Sequence, residues 1–324
     1  MRSIAILNQK GGVGKTTTSV NLAAGLTRTG RRVLLVDLDP QSHATMHVGV
    51  DPADDQPGVY DVLVEGRPVG QALRELNEGL ALLPASLDLV GAELELAGRI
   101  DRELILKTAL ASLGERFDYL IIDCPPSLGT LTVNALCAVR ETIIPLQPHF
   151  LALQGLGRLL ETVTLVRGVL NPELRISGIV LCMYESATRL AQEVANDVRC
   201  FLAAATPEDA WYGARVFETV IRRNVKLAEC PSFGQTIFEY APGCHGAADY
   251  QALTDEVLAM AGEREAAAEA PAAVGESVVA QGQRPADEVT LSDGPHPLAP
   301  LPEKLAPPTP GGDVGAPGAA GAGQ

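Results

Sequence analysis

Residues 3–18 read Ser3-Ile4-Ala5-Ile6-Leu7-Asn8-Gln9-Lys10-Gly11-Gly12-Val13-Gly14-Lys15-Thr16-Thr17-Thr18, and this stretch decides the fold. A short apolar run, Ile4–Leu7, predicts a buried strand, and the run Thr16–Arg28 predicts a helix directly after a glycine loop. Glycines let backbone N–H groups turn inward around phosphate oxygens at the positive end of the helix. Lys15 is placed to reach β- and γ-phosphates, and the Thr16 hydroxyl to ligate Mg²⁺. The loop is therefore expected to bind a nucleotide through Lys10, Gly11, Gly12, Val13, Gly14, Lys15, Thr16 and Thr17. The pattern departs from the general G-x-x-x-x-G-K-[ST] loop in one respect. Gln9 stands five residues before Gly14, with Lys10 beside it. An extra cation there suits phosphate charge that builds in a transition state.

Outward from the loop, apolar runs at Val33–Val36, Leu80–Leu83, Tyr119–Ile122, Thr142–Leu146 and Ile176–Leu181 alternate with amphipathic segments. The helical candidates are Asp101–Leu113, Leu153–Leu170, Leu190–Ala204 and His245–Met260. Near-continuous apolar strands separated by helices predict an α/β fold, a mostly parallel twisted sheet with helices on both faces.

Two strands end in acids. After Val33–Val36 comes Asp37-Leu38-Asp39-Pro40-Gln41, and carboxylates at the C-terminal end of a parallel strand face the ligand crevice. Their i, i+2 spacing points both the same way, so one can serve the metal shell while the other orients a water. After Tyr119–Ile122 comes Asp123-Cys124-Pro125-Pro126, in which Asp123 is placed to hold Mg²⁺ through water beside Thr16.

The composition sets the remaining bounds. The chain has 324 residues and a formal charge of −15, from 25 bases and 40 acids, and 46% of it is apolar. It contains no apolar run of the roughly 18 residues that a membrane helix needs, and Met1-Arg2-Ser3 leads into the first strand without a signal-peptide core. The six cysteines have no CxxC spacing, as expected of reduced thiols. Residues 263–324 contain ten Pro, nine Gly and no aromatic residue, with a net charge of −6. Such a segment is expected to be a disordered acidic tail after a single domain spanning 1–262.

The loop KGGVGKTT resembles the deviant Walker A motif of the ParA/MinD family of P-loop ATPases. The resemblance extends over roughly 1–260, through DLDPQ at 37–41, LPASLDLVGAELEL at 83–96, DCPPSLGTLTVNAL at 123–136 and RNVKLAECPSFGQTI at 223–237, and favours the chromosomal ParA branch, also called Soj. It implies Mg²⁺-dependent ATP hydrolysis in which Lys10, Lys15 and Asp39 are catalytic. In it Lys10 reaches the phosphates of a second copy, Asp39 positions water, and Thr16, Asp37 and Asp123 serve the metal. Asn224 and Pro231 are implied near the adenine. The resemblance further implies an ATP-driven sandwich homodimer that binds double-stranded DNA without sequence preference through Arg189, Arg223 and Lys226. A ParB-like centromere-binding protein would stimulate hydrolysis, so a cytoplasmic, nucleoid-associated protein with no stable membrane anchor is expected. A second family arginine falls on Ala187, and relatives carry Pro where Arg222 stands. The alternative within the superfamily is a positioning ATPase for a protein cargo or division site. His43 and His47, read as part of a loop, are weak metal candidates without the Glu of HExxH. Trp211 lies in an acidic insertion, 203–213, with no assigned role.

Overall fold

The computed structural model describes residues 1–149, 152–186 and 188–269. Ala187 and residues 270–324, most of the expected tail, lie outside the described residues. The described strands are β1 (Arg2–Ile6), β2 (Val33–Asp37), β3 (Arg74–Glu75), β4 (Leu80–Leu83), β5 (Tyr119–Asp123), β6 (Glu141–Leu146), β7 (Arg175–Tyr184) and β8 (Arg215–Arg222). They form one sheet in the order β3-β4-β2-β5-β1-β6-β7-β8, parallel except for β3. The helices are α1 (Lys15–Arg28), α2 (His43–His47), α3 (Val69–Ala72), α4 (Leu89–Leu96), α5 (Ile105–Ala111), α6 (Thr130–Ala138), α7 (Ala152–Val169), α8 (Arg189–Ala203), α9 (Val225–Glu229), α10 (Ile237–Tyr240) and α11 (His245–Glu269).

The alternation of β1 builds both layers. Ala5 and Leu7 join a core made with α4 to α8, whereas Ile4 and Ile6 join one made with α1 and α11. On the second face α1 and α11 approach closely at Gly25, where a Cβ would lie 2.1 Å from Thr254 Oγ1. At the N-terminal ends of the central strands Glu141, 3% exposed, accepts from Arg2 Nη2 at 2.9 Å, Ser177 Oγ at 2.6 Å and Arg175 Nη2 at 3.2 Å. Arg2 also donates to the Val257 carbonyl of α11 at 2.5 Å, so one carboxylate joins β1, β6 and β7 and, through Arg2, the last helix.

The structure corrects several expectations. The helix expected from Asp101 starts at Ile105, because Asp101 has φ of 57°, a left-handed conformation that a continuing α-helix excludes. The last helix, expected over His245–Met260, continues to Glu269. The segment around His43 is helical rather than a loop, and α4, α6 and edge strand β8 are additions to the expected elements.

Candidate functional site

The loop after β1 sits where the sheet order reverses, with β5 and β2 on one side and β6 on the other. In parallel α/β sheets that position opens a crevice at the C-terminal strand ends. Gly12 (φ 74°) and Gly14 (φ 91°) take left-handed conformations that L side chains adopt at a cost, and Gly14 is the N-cap of α1. The Asn8 side chain anchors the loop by donating to the Pro145 carbonyl of β6 at 2.7 Å.

A cavity of about 680 Å³ opens over this loop, lined by Lys15, Thr16 and Asp39 on one side and by Asn224, Val225 and Tyr250 on the other. Lys15 is 7% exposed and its Nζ donates to the Lys10 carbonyl at 3.3 Å. Burial lowers its pKa, opposed by the nearby Asp123 and Asp39. The Thr16 hydroxyl donates to Asp123 Oδ2 at 2.7 Å, and Ser19 Oγ to Asp123 Oδ1 at 2.8 Å. Register pairs Asp37 with Asp123 across β2 and β5, and both carboxylates are fully buried. Burial pushes the Asp123 pKa up, and the charge of Asp37 pushes it further. Asp37 is raised by burial too, against the hydrogen bonds from Thr45.

Hydroxyl and carboxylate oxygens are hard donors suited to Mg²⁺. Among the described residues there is no cluster of three His, Cys, Asp or Glu able to cage a metal. Thr16 on the cavity wall and Asp123 behind it offer such oxygens to a cation shared with a nucleotide's phosphates. Neither of the acids expected at the metal lines the cavity: Asp123 sits behind Thr16, and Asp37 lies beside it. Asp37 Oδ2 accepts from Thr45 N and Thr45 Oγ1, each at 2.8 Å, and its Oδ1 from Asp39 N at 3.1 Å. Asp39 lines the cavity beside Gln41 and accepts from Gln41 N at 3.0 Å.

The remaining expected residues divide. Asn224 reaches the cavity, and its side chain caps α9 by accepting from Lys226 N at 2.8 Å. Pro231 belongs to the next turn, Cys230–Phe233, and is not part of the cavity wall. Arg222 lines the cavity and clamps the end of β8 to α11. Its Nε and Nη2 donate to Asp249 Oδ1 at 3.0 and 2.5 Å, and its backbone N–H to Asp249 Oδ2 at 3.0 Å. Lys10 turns out of the cavity; its ammonium hydrogen-bonds His149 Nε2 in a neighbouring depression that also includes Gln154 and Arg158. Of the basic residues expected at DNA, Arg223 pairs with Glu185 at 3.1 Å, Lys226 pairs with Glu229 at 2.9 Å, and Arg189 is exposed at the start of α8. His47 is buried with its Nε2 3.5 Å from Cys230 Sγ.

Sequence reasoning missed Ser19, Thr45, Cys182 and Tyr250. Tyr250 OH lies 3.1 Å from Thr18 Oγ1, linking α11 to α1 behind the phosphate loop. A signal for Ser19 existed, since it falls one helical turn after Lys15 and so faces the same strand end. Tyr250 is 232 residues from Thr18, and nothing local marks the pair.

A family model described as an AAA domain matches residues 1–176. The "Sporulation initiation inhibitor protein Soj" of Bacillus subtilis is 47% identical over 257 residues, 79% of this chain and 98% of that protein. The "Chromosome-partitioning ATPase Soj" of Thermus thermophilus is 48% identical over 263 residues, 81% and 98% of the two chains. A crystal structure described as cobyrinic acid a,c-diamide synthase from Mycobacterium smegmatis, with bound ADP and magnesium, is 39% identical. It superposes with a TM-score of 0.69 and covers 82% of this chain and 96% of that one. The phosphate loop, the acidic strand ends and these identities together place the chain in the Soj/ParA family of deviant Walker A P-loop ATPases.

Proposed function

We propose that this chain is a Mg²⁺-dependent DNA-partitioning ATPase that dimerises around ATP, binds DNA as the dimer and is returned to the monomer when a ParB-like partner stimulates hydrolysis. The observation that carries the dimer is the direction of Lys10, whose ammonium leaves its own cavity for His149 while Lys15 stays beside Asp123. A cation on the outer rim of one site is available to the phosphates of a second copy. ATP with Mg²⁺ supplies the phosphoryl group whose transfer to water drives the cycle. Lys15 and the N–H groups from Gly11 to Thr17 hold the phosphates, Thr16 and Asp123 hold the cation, and Asp39 orients water from the cavity wall. Asp37 acts at one remove, fixing Thr45 and Asp39 and adding negative charge next to Asp123.

The partition name carried by the relative at 48% identity supports this cargo over the amide synthesis named for the structure at 39%. DNA contact is assigned to Arg189, Arg223 and Lys226, which stand on or before α8 and α9. Among the described residues no helix is long and apolar enough to cross a membrane, in keeping with a cytoplasmic, nucleoid-associated cycle. The test is ATP turnover with DNA and with a ParB-type N-terminal peptide, alone and together, alongside light scattering of the Asp39→Ala variant. Synergy between the two ligands and an ATP-dependent doubling of mass are expected. A variant that stays monomeric in ATP and Mg²⁺ refutes the sandwich dimer.

A further inference from the structure

The main chain of Lys10 is held from both sides. Asn8 Oδ1 accepts from Lys10 N at 3.0 Å, while Asn8 Nδ2 donates to the Pro145 carbonyl of β6, and Lys15 Nζ donates to the Lys10 carbonyl at 3.3 Å. That leaves the side chain as the part able to change partners, and its ammonium meets His149 Nε2. An ammonium can only donate, so the imidazole nitrogen is the acceptor in this contact. His149 is anchored in turn, its carbonyl accepting from Ala152 N at 2.9 Å in the first turn of α7. The depression around the pair, about 320 Å³, includes Arg158 and the amides of Gln9, Gln147 and Gln154, but no Asp or Glu. A carboxylate in the place of His149 would hold Lys10 by charge and compete with a phosphate for it. A neutral imidazole offers one lone pair and no charge, so it directs the ammonium without retaining it.

We propose that His149 is the positioning residue of Lys10: as a neutral acceptor it turns the ammonium out of its own cavity and yields it to a phosphate of the second copy. The inference rests on the dimeric ATPase reading, and the experiment separates the two. The same contact makes the aim of Lys10 sensitive to protons. Protonated His149 has no lone pair for Lys10 and meets it with a like charge. The charged groups around the depression are Lys10 from the phosphate loop and Arg158 from α7; β6 and the residues after it add none besides His149 itself. The N-terminus of α7, three residues beyond His149, contributes its partial positive charge. All of these disfavour the imidazolium. Burial, and then the charge of Lys10, hold the His149 pKa below its ordinary value, which keeps the acceptor form in place at neutral pH.

The full chain is assayed with ATP and Mg²⁺, following turnover and mass by light scattering as the pH is lowered from neutral. At neutral pH His149→Ala should turn over about tenfold more slowly than the wild type, the loss of one hydrogen bond to a charged group, with nucleotide affinity of the monomer unchanged. His149→Gln restores an acceptor that does not titrate and should recover most of the rate. The ratio of wild-type to His149→Gln turnover should then fall as the pH drops below about 6.5, where the imidazole takes up its proton. A merely structural role in the turn before α7 would slow both variants alike and leave that ratio level. An NMR titration of the His149 ring in the nucleotide-free protein reads the contact without any dimer, and Lys10→Ala should move its midpoint upward. Wild-type turnover in His149→Ala, a ratio level in pH, or equal midpoints in wild type and Lys10→Ala each overturn the positioning role. A wild type that never doubles its mass in ATP, with midpoints that still differ, sinks the dimer and the transfer to a second copy while upholding the Lys10–His149 contact.

Discussion

Replacing Glu141 by Ala is expected to separate stability from function. The carboxylate sits at the start of β6, 3% exposed, and accepts from Arg2, Arg175 and Ser177. Arg175 is 44% exposed and can return to water, whereas Arg2 is 13% exposed and keeps its bond to the Val257 carbonyl and its place over the Tyr119 ring. Breaking a buried pair by removing one partner costs about 3–5 kcal/mol, because the remaining charge stays desolvated. Domains of this size have only about 5–15 kcal/mol in total, so about a fifth or more of the stability is at stake. At roughly 2–4 °C per kcal/mol the midpoint should fall by about 6–20 °C. Glu141→Gln retains an acceptor for Arg2 and Ser177 and should lose less than half as much. The nucleotide cavity lies at the other end of the strands, roughly 16 Å away at about 3.3 Å per residue along β6. Nucleotide affinity well below the midpoint should therefore be unchanged. The assays are thermal and urea unfolding together with binding of a fluorescent ADP. A Glu141→Ala loss under about 1 kcal/mol, or a fall in affinity that tracks the stability loss, would refute the reasoning.

Lys10→Ala should leave nucleotide affinity of the monomer within about twofold, since its ammonium is outside the cavity, while turnover falls by roughly 10³-fold or more; equilibrium binding and phosphate release measure the two separately. Thr16→Ala should remove the difference in ATP affinity between Mg²⁺ and EDTA, read by titration calorimetry, because the hydroxyl beside Asp123 is lost. His47 is held to a pKa of about 4 by burial, below its ordinary 6.5. The unfolded chain then binds more protons between those values, so stability contributed by neutral His47 is complete above about pH 6.5 and falls by roughly 3 kcal/mol towards pH 4. Urea unfolding of wild type and His47→Gln across that window should show the slope only in the wild type. Glu185→Gln and Glu229→Gln free Arg223 and Lys226 from their partners and should tighten DNA binding by the ATP-bound dimer, each steepening the salt dependence by about one counterion.

The sequence exposed the parts of the site that local chemistry dictates. Strand, glycine loop and Lys-Thr at a helix start occur together for one physical reason, and that unit sits in the structure as expected. Asp39 stands on the cavity wall and Asp123 accepts from Thr16, both near the loop, as their places after apolar runs lead one to expect. The fate of Asp37 was not legible: i, i+2 spacing placed it on the ligand side, but Thr45, eight residues on, takes up its Oδ2. Strand β8 was missed because its Arg215–Arg222 run lacks a period-2 pattern and mixes Arg, Glu and Thr with apolar residues, as suits an edge strand open to water. The Arg222–Asp249 clamp joins residues 27 apart, across α9, the Cys230–Phe233 turn, α10 and the first turn of α11. Only the packing of α11 on β8 brings that pair together.

The charge balance bears on the proposed DNA cycle through pairing rather than through the net figure. A formal −15 would repel a polyanion, yet phosphate contact depends on the cations within a Debye length of the contact, about 8 Å in physiological salt. Two of the three residues assigned to DNA are matched by acids, Arg223 with Glu185 and Lys226 with Glu229. Both pairs are at least a third exposed, so each is held weakly and a phosphate can replace the carboxylate. A monomer therefore presents one unpaired cation in this set, Arg189, and two exchangeable ones. Dimerisation doubles that set on one particle, and linked weak contacts gain through effective concentration, not through stronger individual bonds. In the proposed cycle, paired cations would hold the monomer's affinity for DNA low while the dimer gains it by avidity, and loss of the dimer on hydrolysis would remove that avidity without any change in the residues assigned to the phosphates.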